Sequence, residues 1–215
     1  MIAYWILLLI IAFVAYVTGS ISTLRVASRF VFRRNLRKFG KSSAFVSNFW
    51  RVYGWKGSMK LFLVELVLDL LPILIGGWLF AIKGHADIGR ALAGFCLVMG
   101  RMWPATNELR GGHGAVAMIF AAFAAGTSVG IAVLLVLVGT AAFTRMLSLG
   151  TLVGAAAYLV VTLLTVDEGL VIRLVLFTVL AVLARHLPAI FRIAQGREPR
   201  FNFAKDITYK LDEKF

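Results

Sequence analysis

RMWPATNELRGGHG, residues 101–114, is a polar, glycine-rich interval set between long apolar segments, and the rest of the chain is organised around it. Its last five residues, Arg110, Gly111, Gly112, His113 and Gly114, read as a compact loop. Glycine reaches φ/ψ values closed to other residues, which lets a backbone turn its N–H groups toward an anion. The run AVAMIFAAFAA that follows has a helical pattern, so the loop ends at a helix N-terminus with free N–H donors. Two readings stay open at this point. One is a phosphate cradle flanked by the charge of Arg110 and His113; the other is a simple membrane turn, since short glycine motifs match by chance.

The surroundings of that stretch define the solvent. Of the 215 residues, 60% are hydrophobic, which is more than a soluble domain needs, and the mean hydropathy is +0.89. Several runs approach or exceed the roughly 20 residues that cross about 30 Å of hydrocarbon as a helix. They are continuously apolar rather than alternating, which favours helices over a barrel. The net charge of +13 must then sit in short loops, where it serves orientation and contact with anionic membrane phospholipids rather than nucleic acid. The single cysteine, Cys96, excludes an intramolecular disulfide and a thiolate-rich metal cluster.

Taken in order, residues 1 to about 18 are almost uncharged and lack a positive n-region, so they read as a retained first helix. Residues 24–60 are dense in cations, among them Arg25, Arg29, Arg33, Arg34, Arg51, Lys56 and Lys60, interleaved with Leu24, Phe30 and Phe32. This composition suits a basic amphipathic helix lying in the interface, or a plain cytoplasmic anchor. Residues 59–82 form a second span carrying Glu65 and Asp69 one turn apart on one face, to be balanced by a partner such as Arg90 or Arg173 or used as a proton or ion site. Residues 83–87 turn, and 88–104 return to the opening stretch. The interval 115–143 is broken at GTSVG, 126–130, into halves of about a dozen residues, each rising roughly 18 Å, which predicts a short re-entrant hairpin. Residues 149–166 and 170–187 span again, separated by a turn at 167–169, and a basic tail starts at Pro188.

The expected fold is therefore all-α: one domain over residues 1–215, a polytopic integral membrane helical bundle of about seven transmembrane segments including the re-entrant hairpin. Cations gather after the first helix, around 101–110, at Arg145 and after 187, whereas the turns at 83–87, 126–130 and 167–169 together carry one lysine. The positive-inside tendency places the N-terminus outside and the arginine-bearing loops and C-terminus in the cytoplasm.

On those loops the chain resembles the bacterial acyl-phosphate:glycerol-3-phosphate acyltransferase family, PlsY. FGKSSAFVSNFWR, residues 39–51, is similar to the family's G-S-G-N-x-G-A-T-N-x-x-R loop through Gly40, Ser47, Asn48 and Arg51, with Lys41-Ser42-Ser43 where the family has Ser-Gly-Asn. Asp69 matches a family carboxylate. The opening stretch resembles G-H-x-F-P followed by F-K-G-G-K-G: Gly100, Pro104, Arg110, Gly111, Gly112 and Gly114 align, Arg101 replaces His and His113 replaces the second Lys. Arg145 and Ser148 resemble an R-x-x-S turn. HLPAIFRIAQGRE resembles H-R-x-N-I-x-R-L-x-x-G-x-E through His186, Ile190, Arg192, Gly196 and Glu198, with Ala189 in place of Asn.

The resemblance implies transfer of a fatty acyl group from acyl phosphate to glycerol 3-phosphate, or a related phosphorylated acceptor, giving lysophosphatidic acid at the cytoplasmic face of the bacterial inner membrane. It implies no metal and no cofactor, and leaves any protein partner unassigned. His186, Glu198 and Ser148 would belong to the catalytic centre; Ser47, Asn48, Arg51, Arg110, Gly111, Gly112, His113, Gly114 and Arg145 would hold substrates. Arg192, Arg197 and Arg200 read as headgroup anchors. Both substrates carry phosphate, which calls for arginines and N–H donors, and an acyl phosphate is already activated, so positioning and charge neutralisation supply the acceleration. Two other classes remain: a non-catalytic lipid-binding or scaffold protein on the same fold, and a small transporter built on Glu65, Asp69, Arg90 and Arg173.

Overall fold

A computed structural model of the chain describes residues 2–27, 30, 46–109 and 111–200, with the backbone alone for 2–4, 24, 25 and 46–54. In hydrocarbon an apolar segment satisfies its backbone by closing i→i−4 bonds, and the described residues do this in seven helices of 11 to 36 residues. In chain order the helices are α1 (Ile2–Ser20), a single turn α2 (Thr23–Val26), α3 (Val46–Ala81), α4 (Ala86–Met102), α5 (Ala115–Ala125), α6 (Thr127–Thr144), α7 (Leu147–Thr165) and α8 (Gly169–Ala194). Among the described residues four segments are long and apolar enough to cross a membrane: Trp55–Ala81, Thr127–Thr144, Leu147–Thr165 and Gly169–Ala194. Large apolar side chains such as Phe13, Trp78, Leu135 and Phe143 stand exposed on the outside, as they should where the solvent is lipid.

α4 is the axis of the bundle and packs on α1, α3, α5 and α8. Its facing residues are small, with Ala91 and Ala93 buried, as are Ala117, Ala121, Ala122 and Ala124 on α5. Without a hydrophobic difference between lipid and protein, such small residues hold helices together by letting their backbones approach. Polar bonds then fix the register. Tyr158 Oη of α7 donates to Ala121 O of α5 at 2.8 Å, Tyr16 Oη of α1 donates to Trp103 O at 2.8 Å, and Thr106 Oγ1 donates to Ser20 O at 2.6 Å. The last two tie the end of α1 to the turn that follows α4.

Three helix boundaries depart from the sequence reading. α3 begins at Val46, so the basic residues from Arg51 to Lys60 form its first turns and run straight into the span, rather than a separate interfacial helix. No proline precedes Pro72 within α3, and continuing the helix keeps every intervening backbone group paired. The break after α5 is narrower than expected: Gly126 alone is extended, Thr127 already opens α6, and α6 at 18 residues is long enough to cross by itself. Phe123 of α5 folds back against Gly130, so α5 and α6 still form a hairpin. Finally, α8 passes through Pro188 and ends at Ala194.

Candidate active site

Met102 ends α4 because Pro104 cannot continue it and restricts the residue before it. One 3-10 turn (Ala105–Asn107) follows, then Glu108 and Leu109, both in the left-handed region at φ 51° and 60°. Two consecutive non-glycine residues there store backbone strain, which persists only where surroundings over-determine it. The chain next passes so close to α4 that a Cβ on Gly111 would sit 2.2 Å from Arg101 O. Gly112 N–H donates to that same carbonyl at 3.1 Å. Gly114, at φ 71°, starts α5. One part of the cradle reading therefore changes: the Gly112 N–H is already engaged with α4.

The opposite wall is the end of α8. Arg185 Nε donates to Gly112 O at 3.2 Å and its Nη2 to Gly111 O at 2.5 Å. The next residue, His186, turns inward and is fully buried. Its Nδ1 lies 2.8 Å from Val182 O, and since a carbonyl only accepts, Nδ1 carries a proton, which in the neutral ring leaves the lone pair on Nε2. That Nε2 is buried without a hydrogen-bond partner among the described residues. A buried polar atom of this kind calls for an explanation, and an acceptor left open for a ligand's hydrogen-bond donor is one. The His113 ring stands 5.1 Å from the His186 ring, tilted by 55°.

α8 closes in a way its sequence explains. Gly196 adopts φ 66°; Gly196 N–H donates to Ile193 O at 3.0 Å and Arg197 N–H to Arg192 O at 2.8 Å, a Schellman turn that needs a residue at ease in the left-handed region. The turn swings Glu198 back, so that Arg192 Nε donates to Glu198 Oε2 at 2.7 Å, and the Ser148 hydroxyl, on the first turn of α7, favours the charged form of the same carboxylate. Burial alone would raise the Glu198 pKa; the bonds from Arg192 and Ser148, with the charge of Arg192, hold it below the usual carboxylate range instead. His113 behaves oppositely. Burial, then the neighbouring His186, Arg185 and Arg192, push its pKa down to about 4. Where the sequence reading has His113 add positive charge to the loop, burial and its cationic neighbours instead favour its neutral form.

Of the residues singled out from sequence, the fold brings together Gly111, Gly112, His113 and Gly114 with His186, Ser148 and Glu198. Arg145 is exposed in the left-handed cap of α6, in the same turn as Ser148. Ser47, Asn48 and Arg51 lie in the first turns of α3, their side chains outside the described residues, and Arg110 and the loop residues 39–45 lie outside them altogether. Asp69 pairs with Arg101, not with the expected Arg90 or Arg173; Arg90 pairs with Asp87, and Arg173 bonds to Gly169 O. Sequence reasoning missed Arg185 and gave Arg192 to the headgroups, although half-exposed Arg192 is bound to Glu198. The only signal for Arg185 was its position next to His186.

These features define the class: an integral membrane protein of helices whose polar centre is assembled at one end of the bundle by α4, α5, α7 and α8. A family model described as glycerol-3-phosphate acyltransferase matches residues 9–196. The chain is 28% identical over 203 residues to a glycerol-3-phosphate acyltransferase of Clostridioides difficile, covering 92% of this chain and 97% of the relative. It is 22% identical over 196 residues to that of Thermoanaerobacter pseudethanolicus, covering 91% and 96%. Its fold is similar to the crystal structure of PlsY, an integral membrane glycerol 3-phosphate acyltransferase, in the glycerol 3-phosphate form, with TM-score 0.74, 24% identity and coverage of 91% of this chain and 96% of that one. The lysophosphatidic acid form gives TM-score 0.76 at 22% identity, covering 92% and 97%. The chain belongs to the glycerol-3-phosphate acyltransferase family.

Proposed function

We infer that this membrane acyltransferase moves a fatty acyl group from acyl phosphate to the hydroxyl of glycerol 3-phosphate, with the cluster around His186 as its centre. The acceptor oxygen attacks the acyl carbonyl carbon, the carbon–oxygen bond to phosphate breaks, and the hydroxyl proton leaves with the released phosphate. No covalent acyl-enzyme is needed, because the donor is already activated. His186 Nε2, with its tautomer set by Val182 O, accepts from the acceptor hydroxyl and orients it. Ser148 and Glu198 order the α6–α7 and α8 ends around it, while the glycine loop with Arg185, and the arginines Arg51, Arg110 and Arg145, neutralise the two phosphates.

The observation that carries this reading is the buried, unpartnered Nε2 of His186 beside the glycine loop. Placement of the site at the cytoplasmic face of a bacterial inner membrane is supported by charge. Arg101, Arg145, Arg185, Arg192, Arg197 and Arg200 gather at the site end, whereas at the other end Lys83, Arg90 and Arg173 are balanced by Asp87, Asp167 and Glu168. Purified protein given palmitoyl phosphate and glycerol 3-phosphate should release phosphate and form lysophosphatidic acid in equal amounts. His186→Ala should lose at least about 100-fold in kcat. Full turnover by His186→Ala would overturn the site, and no turnover by the wild type with phospholipid retained would overturn the reaction.

A further inference from the structure

The glycine loop is gripped from two sides. Arg101 O takes the Gly112 N–H from beneath, and from α8 the Arg185 guanidinium takes the carbonyls of both Gly111 and Gly112. Removing the guanidinium leaves one of these three bonds. We propose that Arg185 is a positioning residue, whose fork on the two glycine carbonyls holds the loop over His186 and keeps a fixed positive charge beside it.

Three features carry this beyond a surface contact. First, Arg185 is only partly exposed, and its two bonds leave in parallel to consecutive carbonyls, a geometry the planar guanidinium fits and an ammonium does not. Second, adjacent residues on a helix point about 100° apart, so one turn of α8 both buries the His186 ring and sends Arg185 sideways to the loop. The distance between loop and histidine is thereby set by a single rigid helix. Third, burial and cationic neighbours favour the neutral form of His113, and among the described residues it is Arg185 of α8 that puts a permanent cation in contact with Gly111 and Gly112. A phosphate arriving at the loop meets that charge without the loop having to move.

The substrate side of this proposal rests on the acyl-transfer reading, but its structural side can be measured alone. In hydrogen–deuterium exchange on the full-length protein in detergent, the Gly112 amide reports loop opening, since its donor is bound to Arg101 O. Arg185→Ala and Arg185→Gln should exchange there about tenfold faster than wild type, with α5 and α7 unchanged. Arg185→Lys, which keeps the charge but cannot form the fork, should fall between. In turnover, kcat should drop about 100-fold in Arg185→Ala and recover in part in Arg185→Lys, at an unchanged melting temperature. Wild-type exchange at Gly112 in both Arg185→Ala and Arg185→Gln would overturn the positioning role. Absent turnover in the wild type would count against the reaction while leaving the exchange result standing.

Discussion

Arg101 on α4 is ion-paired with the fully buried Asp69 on α3, with Nε 3.0 Å from Oδ1 and a second bond from Nη2 to the same oxygen. The remaining nitrogen, Nη1, donates to Ile21 O at 2.8 Å and Thr23 Oγ1 at 2.9 Å. One side chain therefore joins α3, α4 and the start of α2, while its own carbonyl anchors the glycine loop. Breaking a buried pair by removing one partner strands a charge and costs about 3–5 kcal/mol, whereas replacing both with apolar groups of like volume is often neutral. Arg101→Leu and Asp69→Leu should each lower the melting temperature in detergent, and the double variant should melt closer to wild type than either. Additive losses would show that the two residues act separately.

The loop makes two neighbouring glycines unequal. A Cβ on Gly111 would meet Arg101 O at 2.2 Å and Pro104 Cδ at 2.5 Å, while one on Gly112 meets nothing within 4 Å. Gly111→Ala must push the loop off α4, and a displacement of about 1 Å at a reacting centre costs about 100-fold in rate. Gly112→Ala should melt within about 0.5 kcal/mol of wild type. If Gly112→Ala nevertheless loses turnover, the methyl group is colliding with substrate, which would place the phosphate directly over that residue.

Half-buried His113 gives stability a pH dependence whose sign follows from its lowered pKa. Unfolded, it takes up a proton near pH 6.5; folded, it refuses one until about pH 4. In that window the unfolded chain binds more protons, so stability rises with pH and is lost as pH falls from 6.5 toward 4. Glu198, with its pKa lowered from 4.5, adds its own loss only below that value. Melting temperatures from about pH 7 to about pH 5 should fall in the wild type and fall less in His113→Gln. Parallel curves would show that His113 titrates normally.

The spans were legible in the sequence because hydrocarbon demands unbroken apolar runs, and the clustering of His113, Ser148, His186 and Glu198 was anticipated from motifs carried on loops at one end. The pairing of Asp69 was not, because Arg90, Arg101 and Arg173 are equally cationic on paper, and only the packing of α3 on α4 selects the one 32 residues away. The protonation of His113 depends on how deeply α8 covers it, and the reach of Arg185 depends on the rotation of that helix. Neither is written in local periodicity. The run of α3 through its basic start was hidden for another reason: charge density signals an interface, but it does not by itself end a helix, and α3 keeps its backbone paired through the charged turns.

The tail of α8 offers a test in which conformation and chemistry separate. Gly196 has open space around its Cα, so Gly196→Ala brings no clash; its cost is that of holding alanine at φ 66°, about 1 kcal/mol. That strain acts on the turn that returns Glu198 to Arg192 and Ser148. Ser148→Ala and Glu198→Gln should each lower kcat, and because the Ser148 hydroxyl helps keep the Glu198 carboxylate charged the double variant should lose less than the sum, with a coupling of about 0.5–3 kcal/mol. Gly196→Ala should reduce activity in the wild-type background yet add little on top of Glu198→Gln, since the turn then has no carboxylate to deliver. Full additivity of Gly196→Ala with Glu198→Gln would mean that the turn serves α8 itself and not the placement of Glu198.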